Sequence, residues 1–120
     1  MLFRSKFELR RQHKREFQKM MSKRCKTFKW GKDTFYVDTS RRYANGGMVV
    51  EVLMDNGALW GILSVNIPGE TEHLRPGEFF AKTWSENEGW SQAALDSGVF
   101  VDTGFRMRTG FVQAQLWKLA

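Results

Sequence analysis

Residues 48–67, Met-Val-Val-Glu-Val-Leu-Met-Asp-Asn-Gly-Ala-Leu-Trp-Gly-Ile-Leu-Ser-Val-Asn-Ile, decide the fold class. Val49, Val50, Val52 and Leu53 favour a strand over Met48–Met54. Asp55-Asn56-Gly57 is the strongest turn signal in the chain, because Asn-Gly suits a type I′ hairpin turn. A second strand is expected from Ala58 to Ile67. So short a turn forces the pair antiparallel. Working upstream, Thr27–Trp30 and Thr34–Val37 flank Gly31-Lys32-Asp33 and read as another hairpin, and Asn45-Gly46-Gly47 reads as a turn. Downstream, Pro68-Gly69 ends the long strand and Pro76-Gly77 ends a polar loop. Glu78–Thr83 then reads as a strand, with Phe79 and Phe80 on opposite faces.

Ser85-Glu86-Asn87-Glu88 matches a capping box and predicts a short helix to about Ser97, stopped by Gly98. Val99–Val101 and Phe111–Leu119 complete the sheet, with Asp102–Gly110 a connection or a further strand. The expected class is α+β: an antiparallel β-sheet, one short packed helix and a basic N-terminal helical arm. The expected division is an arm over 1–26 and a single α+β domain over 27–120.

The 120 residues suffice for one core, and 42% hydrophobic with 14% aromatic residues argue for a packed body. No apolar run approaches the ~18 residues of a membrane span. The opening MLFRSKFELRRQHKRE lacks the apolar stretch of a secretory signal. A single cysteine, Cys25, excludes an intramolecular disulfide and suits a reducing compartment, so a cytoplasmic location is expected.

The net charge of +6 is unevenly distributed. Residues 1–26 hold ten Lys/Arg (Arg4, Lys6, Arg10, Arg11, Lys14, Arg15, Lys19, Lys23, Arg24, Lys26) against Glu8 and Glu16, a charge of +8; the rest of the chain carries −2. A near-neutral body with a basic arm is the asymmetry expected when one segment meets a polyanion or an acidic partner. The arm contains neither Pro nor Gly, which predicts a helix from about Phe3 to about Arg24. Phe3, Phe7, Phe17 and Met21 fall on one helical face, interrupted by Arg10 and Lys14. Two readings follow. The aromatics dock locally while the charges are solvated, or the arm lies on nucleic acid or in a partner's groove with Phe7 and Phe17 as anchors.

Catalytic signatures are missing. His13 and His73 are the only histidines, one in the arm and one in the polar loop. With a single cysteine, a zinc site would need several carboxylates. Arg24 and Lys26 flank Cys25 and would lower its thiol pKa, yet no motif around it marks a nucleophile. Glu86 and Glu88 stand two residues apart, too divergent on a helix for an acid/base dyad. Phosphate-loop, dinucleotide and metalloprotease motifs are absent. No catalytic residue, cofactor or metal is expected.

The succession FKWGKDTFYV (28–37), RYANGGMVVEVL (42–53), GALWGILSVNIPGE (57–70), FFAKTWSENEGW (79–90) and Gly-Phe-Val (110–112) resembles a family of small uncharacterised proteins carried by bacterial plasmids, phages and integrative elements. The resemblance spans roughly residues 28–118, and the basic N-terminal extension is additional to it. It implies a setting: accessory, non-enzymatic proteins that bind a host defence complex, a protein of the element, or nucleic acid. The leading expectation is therefore an anti-defence binding protein, for example against a CRISPR-Cas complex, whose arm engages an acidic or nucleic-acid-containing partner. The alternative is a sequence-nonspecific DNA/RNA-binding module, with Trp30, Tyr43, Trp60 or Trp84 stacking on bases where exposed. A third is a small enzyme using Cys25 or His73. Membrane binding is not expected, since the arm's apolar face is broken. The oligomeric state is left open.

Overall fold

The computed structural model describes residues 14–20 and 25–120. Residues 14–20 are helical (α1). Eight strands follow: β1 Lys26–Trp30, β2 Asp33–Asp38, β3 Glu51–Leu53, β4 Leu59–Ile62, β5 Ser64–Val65, β6 Glu78–Ala81, β7 Phe100–Thr109 and β8 Val112–Leu119. One short helix, α2 (Ser91–Asp96), lies between β6 and β7. The expected antiparallel α+β character is found, but the strands form two sheets rather than one. Their orders are β1-β2-β3-β4 and β5-β6-β8-β7.

The division falls inside the run expected to be one strand, 58–67. Leu63 is wholly buried at the break; its N–H donates to the Val50 carbonyl at 2.8 Å and its carbonyl accepts from Lys82 N–H at 2.7 Å. The side-chain amide of Asn87 donates to the carbonyls of Ile62 (2.8 Å) and Lys82 (2.9 Å), bracketing the same break. Backbone groups that a bend would leave unpaired are thus satisfied by a neighbouring loop.

The β1–β2 hairpin turns on two residues, Gly31 and Lys32, with Gly31 at φ 64°. The β3–β4 turn departs from the expected type I′. Gly57 has a positive φ (91°) while Asn56 does not, Gly57 N–H donates to Met54 O at 3.0 Å, and the register shifts between Val52 and Leu53. That is a three-residue loop closed by a left-handed glycine, the commonest alternative to the two-residue turn. The expected strand over Met48–Met54 shortens to Glu51–Leu53, and Met48 makes only an isolated bridge to Arg42.

The capping box does not form. Ser85 takes φ 58°, residues Ser85–Asn87 make a 3₁₀ turn without a side-chain cap, and α2 starts only at Ser91. Glu86 is instead engaged by Lys82 at 2.7 Å. Gly98 does end α2 with a left-handed φ of 85°. The ambiguous 102–110 stretch is strand, broken by a bulge between Asp102 and Arg106 that their ion pair spans at 2.8 Å.

The two sheets and α2 share one core. Phe28, Phe35, Val37 and Val52 of the first sheet meet Phe79, Ala81, Phe100 and Trp117 of the second, with Leu63, Trp90 and Ala94 between. Trp90 stacks on Phe28 with centroids 6.2 Å apart, and a Cβ on Gly61 would stand 3.0 Å from the Trp90 ring. Burial of each such aromatic contributes several kcal/mol at roughly 25 cal/mol per Å². Phe79 and Phe80 do point to opposite faces, and both are buried. Among the described residues, no helix is long and apolar enough to cross a membrane.

Candidate polyanion-binding surface

Period-two alternation assigns the first sheet's faces. Phe28, Phe35, Val37 and Val52 look inward to the core; Thr27, Lys29, Thr34 and Tyr36 look outward. α1 lies on that outer face. Phe17 meets Tyr36 edge-to-face at 5.5 Å, and Lys14 pairs with Asp55 of the β3–β4 turn at 2.9 Å. Docking α1 there turns a flat sheet face into a groove. Arg15, Gln18 and Lys19 form one wall, Lys32 and Thr34 the other, with Tyr36 beneath and Asp55 at the end. The groove is open, with a volume of about 550 Å³. Lys29 stands directly across from Thr34 in the β1–β2 register and extends the second wall. Arg15, Lys19, Lys29 and Lys32 are all exposed. Four cations around one groove, with Asp55 already engaged by Lys14, make a surface that favours an extended anion.

The expected site residues divide accordingly. Lys14, Arg15, Phe17 and Lys19 belong to α1, and of these Arg15 and Lys19 line the groove. Phe17 is a docking residue for the helix and does not point outward as a free anchor. Lys26, expected in the arm, opens β1; it lies two residues from Phe28, and its Nζ donates to the Ala120 carbonyl at 3.0 Å, away from the groove. Arg4, Lys6, Phe7, Arg10, Arg11, Lys23 and Arg24 lie outside the described residues, as do Phe3 and Met21. Charge arithmetic missed Lys29 and Lys32, because it averaged them into a near-neutral body. The alternation Phe28-Lys29-Trp30 was the signal that could have placed Lys29 on an outer face.

A second concavity of about 300 Å³ lies between the 42–48 loop and the 71–78 segment. Its polar groups are turned on each other. Both oxygens of Glu72 accept the Gly69 N–H at 2.9 Å, and Asn45 Nδ2 donates to Glu72 and to Asn66. Backbone N–H groups of Glu72 itself and of Gly69, then Asn45, hold the Glu72 carboxyl below its ordinary pKa. A Cβ on Gly47 would collide with the Thr71 methyl, so the two loops close only on glycine. This network joins loops.

Cys25 lines a small cavity with Lys26, Val37, Thr39, Val99 and Leu119, and His73 is exposed in the 3₁₀ turn Thr71–His73. Among the described residues, no group of three or more His, Cys, Asp or Glu is placed to hold a metal. Of the four aromatics considered for stacking, Trp30 and Trp60 are the exposed ones. Tyr43 is half-buried, its hydroxyl 2.9 Å from that of Ser64, and Trp84 is half-buried. Comparison with protein-family models, with curated proteins and with solved structures returns no match.

Proposed function

We propose that this chain is a non-enzymatic accessory binding protein that holds nucleic acid through its phosphates on the groove between α1 and the β1–β2 hairpin. The observation that carries this reading is the convergence of Arg15 and Lys19 from the helix with Lys32 from the hairpin turn on one open groove. A phosphate backbone is a row of like charges. Each Lys or Arg that neutralises one releases condensed counterions, so a row of cations on a groove binds it without reading sequence. The resemblance to mobile-element proteins supplies the setting: an anti-defence factor acting on the nucleic-acid-bearing face of a host complex. A sequence-nonspecific DNA/RNA module acting alone would use the same surface.

Fluorescence anisotropy of a labelled random duplex, at two salt concentrations, tests the reading. Full-length protein is expected to bind with an affinity that falls steeply with salt. Combined Arg15→Glu, Lys19→Glu, Lys29→Glu and Lys32→Glu reversal should weaken it by more than about tenfold. Unchanged binding after reversal would remove the groove from the function. Weak, salt-insensitive binding would reassign α1, with its exposed Met20, to a protein partner.

A further inference from the structure

The basic groove reaches the turn Gly31–Lys32, and an aromatic pair lies on the other side of that turn. Trp30 is two residues from Phe28 and so shares the inner face of β1, at its open end. There it meets Trp60, with ring centroids 6.0 Å apart and planes inclined at 51°. Trp60 is seated on Phe35 at 5.1 Å. Both indoles are backed by the core yet stay open to solvent, Trp30 at 38% and Trp60 at 40%. Trp90 and Trp117, by contrast, are buried.

We propose, building on the nucleic-acid reading above, that Trp30 and Trp60 form a base-stacking site for single-stranded nucleic acid whose phosphates run along Lys32, Lys29, Arg15 and Lys19. Three features lead there. Indole faces held on one side by a rigid core lose little freedom when a base covers the other side. Cations on the adjacent face complement the phosphates that such bases bring. The third is geometric. The cations lie on the outer face of the hairpin and the tryptophans on its inner face, and the two-residue tip joins one to the other. A ligand that passes from one to the other round this tip bends sharply at Lys32. Duplex DNA, with a persistence length of about 50 nm, does not follow such a path, whereas a single strand does. The 51° inclination also leaves no parallel slot between the two rings, so each receives its own unstacked base.

The experiment compares short oligo(dT) with duplex of the same length, reading anisotropy and intrinsic tryptophan fluorescence on the full chain. Oligo(dT) is expected to bind more tightly than duplex and to quench the fluorescence. Trp30→Leu and Trp60→Leu, which keep apolar volume at the core's edge, should each weaken oligo(dT) binding by about 5- to 100-fold and leave duplex binding unchanged. Near-UV circular dichroism checks that each variant is folded. If one is not, the other variant and the wild-type quench decide. Wild-type affinity for oligo(dT) in both leucine variants, or an unquenched wild type, overturns the stacking site. If charge reversal still abolishes binding in that case, the groove reading survives alone. If neither oligo(dT) nor duplex binds, both readings fall.

Discussion

Phe17 stands edge-on to Tyr36 with ring centroids 5.5 Å apart and planes at 78°, and the same ring covers Gly57, where a Cβ would lie 3.2 Å from it. One aromatic side chain thus fixes α1 to a strand and to a turn together, and with it the wall of the groove that carries Arg15 and Lys19. Phe17→Ala removes an edge-to-face contact of about 0.5–1.5 kcal/mol beyond its area burial. Gly57→Ala strains a backbone at φ 91° and crowds the ring. Both variants should lower the thermal midpoint by a few degrees and weaken nucleic-acid binding, although neither alters a charge. Proteolysis within α1 should accelerate in both. A variant that melted earlier but bound as wild type would show that the groove does not need the docked helix.

The Lys82–Glu86 contact sets a pH dependence. The hydrogen bond from Lys82, followed by the Glu86 backbone N–H and the Ser85 hydroxyl, lowers the Glu86 carboxyl from 4.5 to about 2. A folded-state pKa below the unfolded one contributes stability that is complete above about pH 4.5 and is lost as the pH falls toward 2. Glu86→Gln should therefore flatten the stability profile over that window and leave it unchanged in shape above it. Because Glu86 is exposed, added salt should shrink the difference between variant and wild type. Urea melts from pH 2 to 7 at two ionic strengths measure both effects.

Asn87 brackets the break between the two sheets. It is wholly buried, donates to Ile62 O and Lys82 O, and its Oδ1 has no hydrogen-bond partner in the structure. Asn87→Ala takes the donors away from the Ile62 and Lys82 carbonyls and is expected to cost about 1–3 kcal/mol. Asn87→Asp presents a carboxylate to the same carbonyls and should be worse near neutrality. Its penalty should ease on acidification, since the protonated acid can donate to one of them and its folded-state pKa is accordingly raised. A chemical-denaturation series at pH 4 and pH 7 checks the sign.

The hairpins were readable because their signals are local: Gly31, Asn56-Gly57 and the β-branched run at 49–53 act within a few residues. The break at Leu63 was not. Residues 58–67 read as one run, and the break at Leu63 depends on distant partners: Leu63 pairs with Val50 and Lys82, and Asn87, more than twenty residues away, donates to the Ile62 carbonyl. The Ser85–Glu88 pattern misled as well. Ser85 takes a left-handed φ of 58° rather than the extended backbone of an N-cap, and Gly89 weakens the first turn that a cap would have started. For the proposed groove, net charge points to the 1–26 segment but not to Lys29 and Lys32, which acquire meaning only once α1 lies beside them.

The salt response should resolve how many of these cations meet phosphate. Each neutralised phosphate contributes about −0.9 to the slope of log affinity against log salt on duplex. Lys29→Ala with Lys32→Ala removes two contacts from the hairpin wall and should make the slope shallower by about 2, while leaving α1 docked through Phe17. Arg15→Ala with Lys19→Ala should do the same from the opposite wall. Equal reductions from the two pairs mean that the backbone runs along the groove between them. A reduction from the helix pair alone means that the polyanion follows α1 and passes the hairpin by, in which case the strand cannot reach Trp30. A titration of full-length protein at four salt concentrations, for each pair and for the wild type, separates these outcomes.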